Sequence, residues 1–325
     1  MNDALPFVTV IIPTRPGQSE IKAVTAARAL DYPKDKIEII VARGKQPAVQ
    51  RNAALKAARG ELSYFLDDDS MAQPENLRRA IPHFTDPTVK MVGGPSICPP
   101  DAPTLEQVFA VVLSSWLAFG PSRARYDPVG KVRATTEKEL ILCNQLARRD
   151  ALLEAGGFPE ALYPNEENAL MDDLQKRGGK LLYDPELIAY RRPRPTLKSF
   201  CKMLLTYGRG RAEQFRLNPT LGSALNFVPP MFCVYLVSLP CLMSVPIQGA
   251  KVLVVVPLLA YGFALLAQAI LSAARKRAAL CLAAVPLVVL THVFYGLGFW
   301  RGLFTQLKKS GQAPATEVTL ENFSL

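Results

Sequence analysis

The stretch Leu62-Ser63-Tyr64-Phe65-Leu66-Asp67-Asp68-Asp69-Ser70 places three adjacent carboxylates directly after a short apolar segment. The apolar residues predict a strand, and the carboxylates follow its end. Carboxylates so close together repel one another unless a cation lies beside them. Mg²⁺ and Mn²⁺ take oxygen ligands and are commonly shared between a few carboxylates and the phosphates of a substrate. The stretch therefore predicts either a metal site at a strand end or a solvated acidic turn.

Strands and helices alternate around this stretch. Apolar, β-branched segments predict strands at residues 8–13, 36–41 and 62–66, with helices at residues 19–30 and 48–58. This alternation is typical of an α/β protein with a mostly parallel, Rossmann-like sheet. Ligands of such sheets bind outside the carboxyl ends of the strands, where Thr14, Arg43 and Asp67 fall.

The second part of the chain has a different composition, because charged residues nearly vanish between positions 225 and 303. Three apolar stretches occupy this region, at residues 225–247, 252–273 and 278–300. Each reaches the roughly 20 residues that a helix needs to cross a bilayer. Very hydrophobic core helices are the alternative, but the short separating loops favour membrane insertion.

The net charge of +10 is concentrated just before the first apolar stretch. The basic residues there are Arg191, Arg192, Arg194, Lys198, Lys202, Arg209, Arg211 and Arg216. A nucleic acid could bind such a cluster. Its position beside the apolar stretches instead favours anionic lipid headgroups or a phosphorylated lipid, so we expect a membrane partner and no nucleic acid.

The predicted topology has the soluble part on the cytoplasmic side of an inner, cytoplasmic membrane that the protein crosses more than once. The N-terminal residues show no signal peptide, and a cytoplasmic Arg275-Lys276-Arg277 loop agrees with the positive-inside rule. Three full crossings, however, would place Arg301, Lys308 and Lys309 outside. Either the third stretch is re-entrant or interfacial, or the tail is an exception to the rule.

Histidine and cysteine chemistry is nearly excluded as the basis of activity. The only histidines are His83 and His292, and the six cysteines show no CxxC pair. A Ser-His-Asp triad and a histidine-based zinc site are therefore disfavoured, and buried reduced thiols are expected. Any catalysis must depend on carboxylates, a metal or arginines.

Further motifs complete a recognisable order along residues 8–216. They are Val10-Ile11-Ile12-Pro13-Thr14-Arg15, Gln50-Arg51-Asn52-Ala53-Ala54-Leu55, the acidic run at 67–69, Gly156-Gly157-Phe158, Glu166-Glu167, and Tyr207-Gly208-Arg209-Gly210-Arg211. In this order and spacing they resemble glycosyltransferase family 2, whose members have the GT-A fold. The domains we expect are a GT-A domain at 1–198, a basic interfacial helix at 199–222, a membrane region with two or three spanning helices at 223–304, and a flexible tail at 305–325.

The resemblance implies a site for a nucleotide-sugar donor and a divalent metal, Mn²⁺ or Mg²⁺. Asp67 and Asp69 match the outer members of the family's DxD motif, which binds the metal and the donor diphosphate. Asp68 would contact the donor sugar or ribose, or be a solvated bystander. The full set of expected donor-binding residues is Pro13, Thr14, Arg15, Arg43, Arg51, Asn52, Asp67 and Asp68.

The resemblance also implies an inverting mechanism with a carboxylate base. Glu166 and Glu167 match the family's catalytic Glu-Asp pair, and Glu167 takes the place of the base. Without the resemblance, the two glutamates would be an ordinary acidic first turn of a helix. The residues expected to hold the acceptor or phosphate are Gly157, Arg194, Arg209 and Arg211; headgroup anchoring is the alternative role for the arginines.

Three departures from the family pattern leave the substrates open. Ala42-Arg43-Gly44 stands where an aspartate usually recognises uracil, and Tyr190-Arg191-Arg192 stands where a histidine often follows the late strand. The QxxRW motif of processive synthases is absent. We expect a UDP-sugar donor and a lipid-linked acceptor, such as a polyprenyl-diphosphate sugar, in polysaccharide or glycolipid synthesis. A nucleotidyltransferase and a non-catalytic membrane scaffold are the alternatives.

Overall fold

A computed structural model describes residues 5–162, 165–217, 219, 221–244, 248–274, 277–306 and 317–323. The chain forms two compact units. The first comprises Met1–Pro99, Ala124–Arg192 and Lys308–Leu325, and the second comprises Pro100–Arg123 and Pro193–Leu307. Residues 100–123 thus belong with the second unit, although the predicted GT-A domain includes them. The predicted domain limits otherwise stay a prediction.

A large sheet organises the first unit. Its strands, in sheet order, are β11 (Thr319–Phe323), β2 (Ile37–Arg43), β1 (Val8–Thr14), β3 (Leu62–Phe65), β8 (Gln145–Arg148), β5 (Val89–Gly93), β9 (Lys180–Tyr183) and β7 (Arg133–Thr135). β1, β2, β3, β5 and β9 run in one direction, and β7, β8 and β11 run in the other. The predicted α/β sheet is confirmed, with three antiparallel strands among the parallel ones.

Both faces of this sheet are covered, which explains the continuous apolar run of β1. Val8, Val10 and Ile12 pack into the hydrophobic cluster on one face, and Ile11 packs into the cluster on the other. A strand buried on both faces carries apolar residues without alternation. The helices of this unit are α1 (Lys22–Arg28), α2 (Pro47–Ala57), α3 (Asn76–Ala80), α6 (Arg149–Glu154) and α7 (Glu166–Lys176).

A small second sheet lies beside the acidic run. It consists of β4 (Met71–Ala72), β10 (Ala189–Tyr190) and β6 (Ser96–Ile97) in the order β4-β10-β6. Tyr190 pairs with Met71 in antiparallel register, and the backbone N–H of Arg191 donates to the carbonyl of Ile97 at 2.9 Å. The backbone therefore brings Arg191 alongside the residues that precede Met71.

The described part of the tail is a strand, in contrast to the predicted flexible tail at 305–325. β11 pairs antiparallel with β2 at the edge of the large sheet, from Thr319 opposite Arg43 to Phe323 opposite Ile39. An isolated five-residue strand has no stability of its own, so the open edge of β2 is what orders it. Lys308 and Lys309 lie outside the described residues.

The second unit is helical. Its helices are α4 (Thr104–Leu113), α5 (Trp116–Phe119), α8 (Leu197–Leu217), α9 (Val228–Ser244), α10 (Gln248–Ala273) and α11 (Ala278–Phe304). Three segments are long and apolar enough to cross a membrane: Ser223–Ser244, Lys251–Ala273 and Ala278–Phe304. Large apolar side chains such as Val237, Leu253 and Phe263 are exposed on them, as expected of helices in contact with lipid. Arg275 and Lys276 lie outside the described residues.

Candidate active site

The three aspartates after β3 point to different partners. Oδ2 of Asp68 accepts a hydrogen bond from the Thr14 hydroxyl at the end of β1 at 2.9 Å, and burial raises the pKa of Asp68. Oδ1 of Asp67 accepts from Nη2 of Arg51 on α2 at 3.1 Å. The structure therefore brings together four of the predicted donor-binding residues at the carboxyl ends of β1 and β3.

Arg191 is a site residue that the sequence-based residue set lacks. Its Nε donates to Oδ1 of Asp69 at 2.7 Å, and its Nη1 lies 3.1 Å from Oδ2 of Asp67. Burial opposes a rise in the pKa of Arg191, but these carboxylates hold it well above its ordinary value, so the side chain is a permanent cation. Its position in the sequence could have identified it, because Tyr190-Arg191-Arg192 stands where the family often has a histidine.

Asp67 and Asp69 provide carboxylate oxygens that are suited to binding one shared metal ion. One guanidinium reaches both carboxylates, so their oxygens lie within the reach of a single cation. Among the described residues there is no group of three or more His, Cys, Asp or Glu side chains that could hold a metal. Mg²⁺ and Mn²⁺ need no more than one or two carboxylates when substrate phosphates and water supply the remaining ligands. Asp67 and Asp69 therefore fit a metal that is completed by a diphosphate.

Arg51 joins the acidic strand end to the acidic start of α7. Its Nη1 lies 3.1 Å from Oε1 of Glu166, while its Nη2 binds Asp67. Glu166 is 2% exposed, and its Oε2 has no hydrogen-bond partner among the described residues. Burial, with a smaller contribution from the neighbouring Glu167 carboxylate, raises the pKa of Glu166 to about 7. Glu166 is therefore an internal anchor for Arg51.

Glu167 has the more accessible position of the two glutamates. It is half-buried in the first turn of α7, whereas Glu166 is buried. A negative side chain is favoured at a helix N-terminus by the helix dipole. Glu167 is thus the more accessible carboxylate of the pair, and a general base needs access to its substrate.

Asn52 holds the loop that contains Gly157. Its Oδ1 accepts from the backbone N–H of Phe158 at 2.8 Å, and its Nδ2 donates to the carbonyl of Phe158 at 2.9 Å and to Glu160 at 3.0 Å. Phe158 is buried and packs edge-on against Phe65, with 5.3 Å between the two ring centroids. The contacts of Asn52 favour a positioning role over the predicted donor-binding role.

Gln50 links the carboxyl ends of β1 and β2 by hydrogen bonds. Its Nε2 donates to the carbonyls of Thr14 at 2.7 Å and Ala42 at 2.6 Å. Beside it, the Arg43 guanidinium donates from Nη1 to the carbonyl of Gln18 at 2.8 Å. Of the other predicted donor-binding residues, Pro13 is buried within β1 and Arg15 is exposed just after it.

The three arginines predicted to bind acceptor or phosphate lie in the second unit. Arg194 is exposed before α8, and Arg209 and Arg211 lie on that helix. Arg209 pairs with Glu213 at 3.4 Å, and Arg211 donates to Gln214 at 3.0 Å. Their role towards a substrate stays a prediction.

Residues 19–108, which contain α2, the acidic run and β5, match the family model described as Glycosyl transferase family 2. This part of the chain is therefore similar to a family 2 glycosyltransferase domain. Among solved structures it is similar to the mannosyltransferase PcManGT from Pyrobaculum calidifontis in complex with GDP-Man and Mn²⁺. The TM-score is 0.61 at 17% identity, over 92% of this chain and 87% of that one.

A weaker likeness is to S. aureus TarS 1–349 in complex with UDP-GlcNAc, with a TM-score of 0.45 at 14% identity over 91% of each chain. No curated protein matches the chain. The similarity to PcManGT, together with the family match, shows that the chain has a GT-A fold.

Proposed function

We propose that this protein is a membrane-anchored, inverting glycosyltransferase that moves a sugar from a nucleotide-sugar donor to a lipid-linked or membrane-embedded acceptor. One observation carries the proposal: ion pairs run from Asp69 through Arg191, Asp67 and Arg51 to Glu166. These ion pairs connect Asp67 and Asp69, which are suited to a metal that binds the donor diphosphate, to the helix that carries a candidate base. The family 2 domain supports this reaction class.

The donor would bind at the carboxyl ends of β1, β2 and β3. Thr14, Arg15 and Arg43 would contact the nucleoside, and Asp67 and Asp69 would hold Mn²⁺ or Mg²⁺. The metal, when bound, supplies positive charge to the diphosphate leaving group. Among the described residues, Arg51 and Arg191 pair with these aspartates, and guanidinium groups suit phosphate oxygens. They would offset the charge that develops as the sugar bond breaks.

The acceptor would bind beside Gly157 and Glu167. Glu167 would take the proton from the acceptor hydroxyl as its oxygen attacks the anomeric carbon from the face opposite the leaving diphosphate, which inverts the configuration. Glu166 would keep Arg51 in place during this step. Because the pKa of Glu166 is raised, the nearby Glu167 carboxylate avoids a fully charged neighbour.

The second unit would bring this chemistry to a membrane. Its apolar helices are suited to a bilayer, and α8 carries Lys198, Lys202, Arg209, Arg211 and Arg216. Such a helix suits anionic headgroups or the phosphates of a lipid-linked acceptor. We place the protein in the inner (cytoplasmic) membrane, with the family 2 domain in the cytoplasm and polysaccharide or glycolipid synthesis as its process.

The test is donor turnover by the purified full-length protein. UDP-sugars and GDP-sugars are incubated with Mn²⁺, with Mg²⁺ or with excess chelator, and release of nucleoside diphosphate is measured. We expect a UDP-sugar to be cleaved in a metal-dependent manner and to stabilise the protein against heat, since a ligand of the native state raises its stability. Pyrophosphate release from nucleoside triphosphates would instead indicate a nucleotidyltransferase. Absence of turnover and of stabilisation by every donor would favour the scaffold.

A further inference from the structure

The chain leaves the first unit at Arg192, passes through the helices of the second unit, and re-enters the first unit before β11. β11 then pairs with β2 in the same sheet as β1 and β3. We propose that, of the described helices, α9 and α10 alone cross the membrane. α11 would then be a surface helix that packs on α8 and faces the lipid headgroups on the side of the first unit. This inference rests on the membrane insertion included in the proposed function, and not on sugar transfer.

The pairing of β11 fixes the parity of the crossings. A sheet cannot have strands on opposite sides of a bilayer, because its backbone hydrogen bonds join neighbouring strands directly. Between Leu217 and Thr319 the chain must therefore cross an even number of times. The segment 307–316 is shorter than the roughly 20 residues that a spanning helix needs, so it does not supply a fourth crossing. With three apolar helices and an even number of crossings, at least one helix does not span.

The contacts of α11 with α8 favour α11 as that helix, although α11 also packs on α9. Glycines bring α11 and α8 into backbone contact: a Cβ on Gly208 would meet the carbonyl of Tyr295, and one on Gly298 would meet the carbonyl of Leu205. Nη1 of Arg216 donates to the carbonyl of Gly302 at 3.1 Å. α8 itself cannot span, because six charged side chains fall within its 21 residues. The C-terminal half of α11 is therefore held against a helix that belongs at the membrane surface.

The first half of α11 is also enclosed by short elements. Nε2 of His292 lies 2.9 Å from the carbonyl of Leu117 in α5, and Cys281 and Val288 are buried. In the most apolar window of each segment, 28% of the residues are buried in Ala278–Phe304, 11% in Ser223–Ser244 and 0% in Lys251–Ala273. The apolar residues of α11 thus serve protein packing to the largest extent of the three.

α9 and α10 have the features of a spanning hairpin. They are consecutive, and the Tyr235 hydroxyl donates to the carbonyl of Val254 at 2.6 Å. Their outward side chains are apolar, with Val237 80% exposed and Leu253 74% exposed. Two crossings return the chain to the side from which it started.

This arrangement also removes the charge conflict of three crossings. With two crossings, Arg277, Arg301, Lys308 and Lys309 share one side with the basic residues of α8. Near the opposite side, the sequence from the end of α9 through the first turn of α10 carries only one charged residue, Lys251. Such an asymmetry is what the positive-inside rule requires.

The experiment is site-directed cysteine labelling of the full-length protein in sealed membrane vesicles of both orientations. Cys98, Cys201 and Cys241 are replaced by serine, and this parent variant gives the labelling blank, because the other three cysteines are buried. Single cysteines are introduced as Glu75→Cys in the first unit, Gly249→Cys at the start of α10, Arg277→Cys before α11, and Gln306→Cys after it. An impermeant maleimide reports the side of each position.

We expect Glu75→Cys, Arg277→Cys and Gln306→Cys to be labelled from one side and Gly249→Cys from the other. Labelling of Gln306→Cys from the same side as Gly249→Cys would show that α11 crosses and would overturn the inference. Release of the protein from membranes by alkaline carbonate would overturn it as well, together with the proposed membrane location.

A second measurement tests the pairing of β11 in the membrane-embedded protein. Leu320 is opposite Ala42, so Leu320→Cys with Ala42→Cys should form an intramolecular disulfide, whereas Leu320→Cys with Ile39→Cys should not. Absence of the first cross-link would remove the parity constraint and overturn the inference. Neither measurement needs sugar transfer, so two crossings in a protein without transferase activity would support this inference and contradict the proposed reaction.

Discussion

Nε of Arg43 at the end of β2 donates to Oε1 of Glu321 in β11 at 2.7 Å, across 278 positions of sequence. The pair joins a residue at the predicted nucleoside site to the strand that follows the three apolar helices. Glu321 is thus the one described residue of the tail that meets a predicted donor-binding side chain by a salt bridge. The edge of the sheet next to the predicted nucleoside site therefore depends on a strand that lies beyond the apolar helices in sequence.

Removal of β11 should loosen β2 to a greater extent than loss of this ion pair. Deletion of residues 317–325 exposes the backbone groups of β2, and we expect its amide hydrogens to exchange at least about tenfold faster, because their protection depends on local stability. Glu321→Gln keeps the strand and removes a partly exposed ion pair, which contributes about 0–1 kcal/mol. Equal exchange of the β2 amides in the deletion variant and the wild type would contradict the pairing.

Metal-dependent transfer should depend on Asp69. Asp69→Asn should lower turnover by at least about 10²-fold, since it removes a charge from the site of the leaving group. The fold should be intact, because surface substitutions usually change stability by less than about 0.5 kcal/mol. Asp68→Asn is the matched control and should lower turnover by a smaller factor, because an amide oxygen can still accept the hydrogen bond from Thr14. Turnover that persists unchanged in excess chelator would rule out this role.

Arg191 should compete with a metal for Asp67 and Asp69. Arg191→Gln leaves these carboxylates without a bridging cation, so Mn²⁺ alone should bind about tenfold more tightly, as expected when charge-assisted hydrogen bonds no longer have to be broken. Electron paramagnetic resonance of free Mn²⁺ in the absence of nucleotide measures this affinity. Arg192→Gln is the adjacent control and should leave it unchanged. The same Mn²⁺ affinity in the wild type and both variants would show that Arg191 does not compete with the metal for Asp67 and Asp69.

Glu167 should act as the general base. Glu167→Gln should lower the chemical step by about 10² to 10⁴ with donor binding nearly unaltered, because the base acts on the acceptor hydroxyl. Single-turnover transfer and donor affinity are measured separately. Glu166→Gln keeps an oxygen acceptor for Arg51 and should slow single-turnover transfer by a smaller factor. If it proves the more damaging change, the base lies elsewhere, with Asp172 and Asp173 as the next candidates.

Two adjacent glycines provide a matched test of the loop at 156–158. Both have positive φ, +84° at Gly156 and +77° at Gly157, so alanine at either costs about 1–2 kcal/mol of backbone strain. A Cβ on Gly157 would in addition lie 2.5 Å from Oδ1 of Asn52, whereas one on Gly156 meets nothing within 4 Å. Gly157→Ala should therefore lower the unfolding temperature by the larger amount. Asn52→Ala in the same chain should remove part of that excess, and strict additivity would contradict the contact.

The local pattern of the sequence was sufficient for the class of fold and for the position of the acidic run after a strand of the sheet. Alternating apolar strands and helices predict the α/β sheet, and an acidic run after a strand predicts a site at the sheet edge, because both features depend on residues close in sequence. Composition likewise located the three apolar helices. The same reasoning predicted a flexible tail, since a five-residue strand carries little signal of its own.

Contacts between distant segments were decided by the tertiary structure. Arg191 meets Asp69 across 122 positions, and Asn52 meets Phe158 across 106. Such pairs depend on strand order and register, which no local periodicity encodes. The proposed number of membrane crossings depends on such a contact as well. Hydropathy gives three candidate helices, whereas the pairing of β11 with β2 allows only an even number of crossings, because hydrogen-bonded strands must share one side of a bilayer.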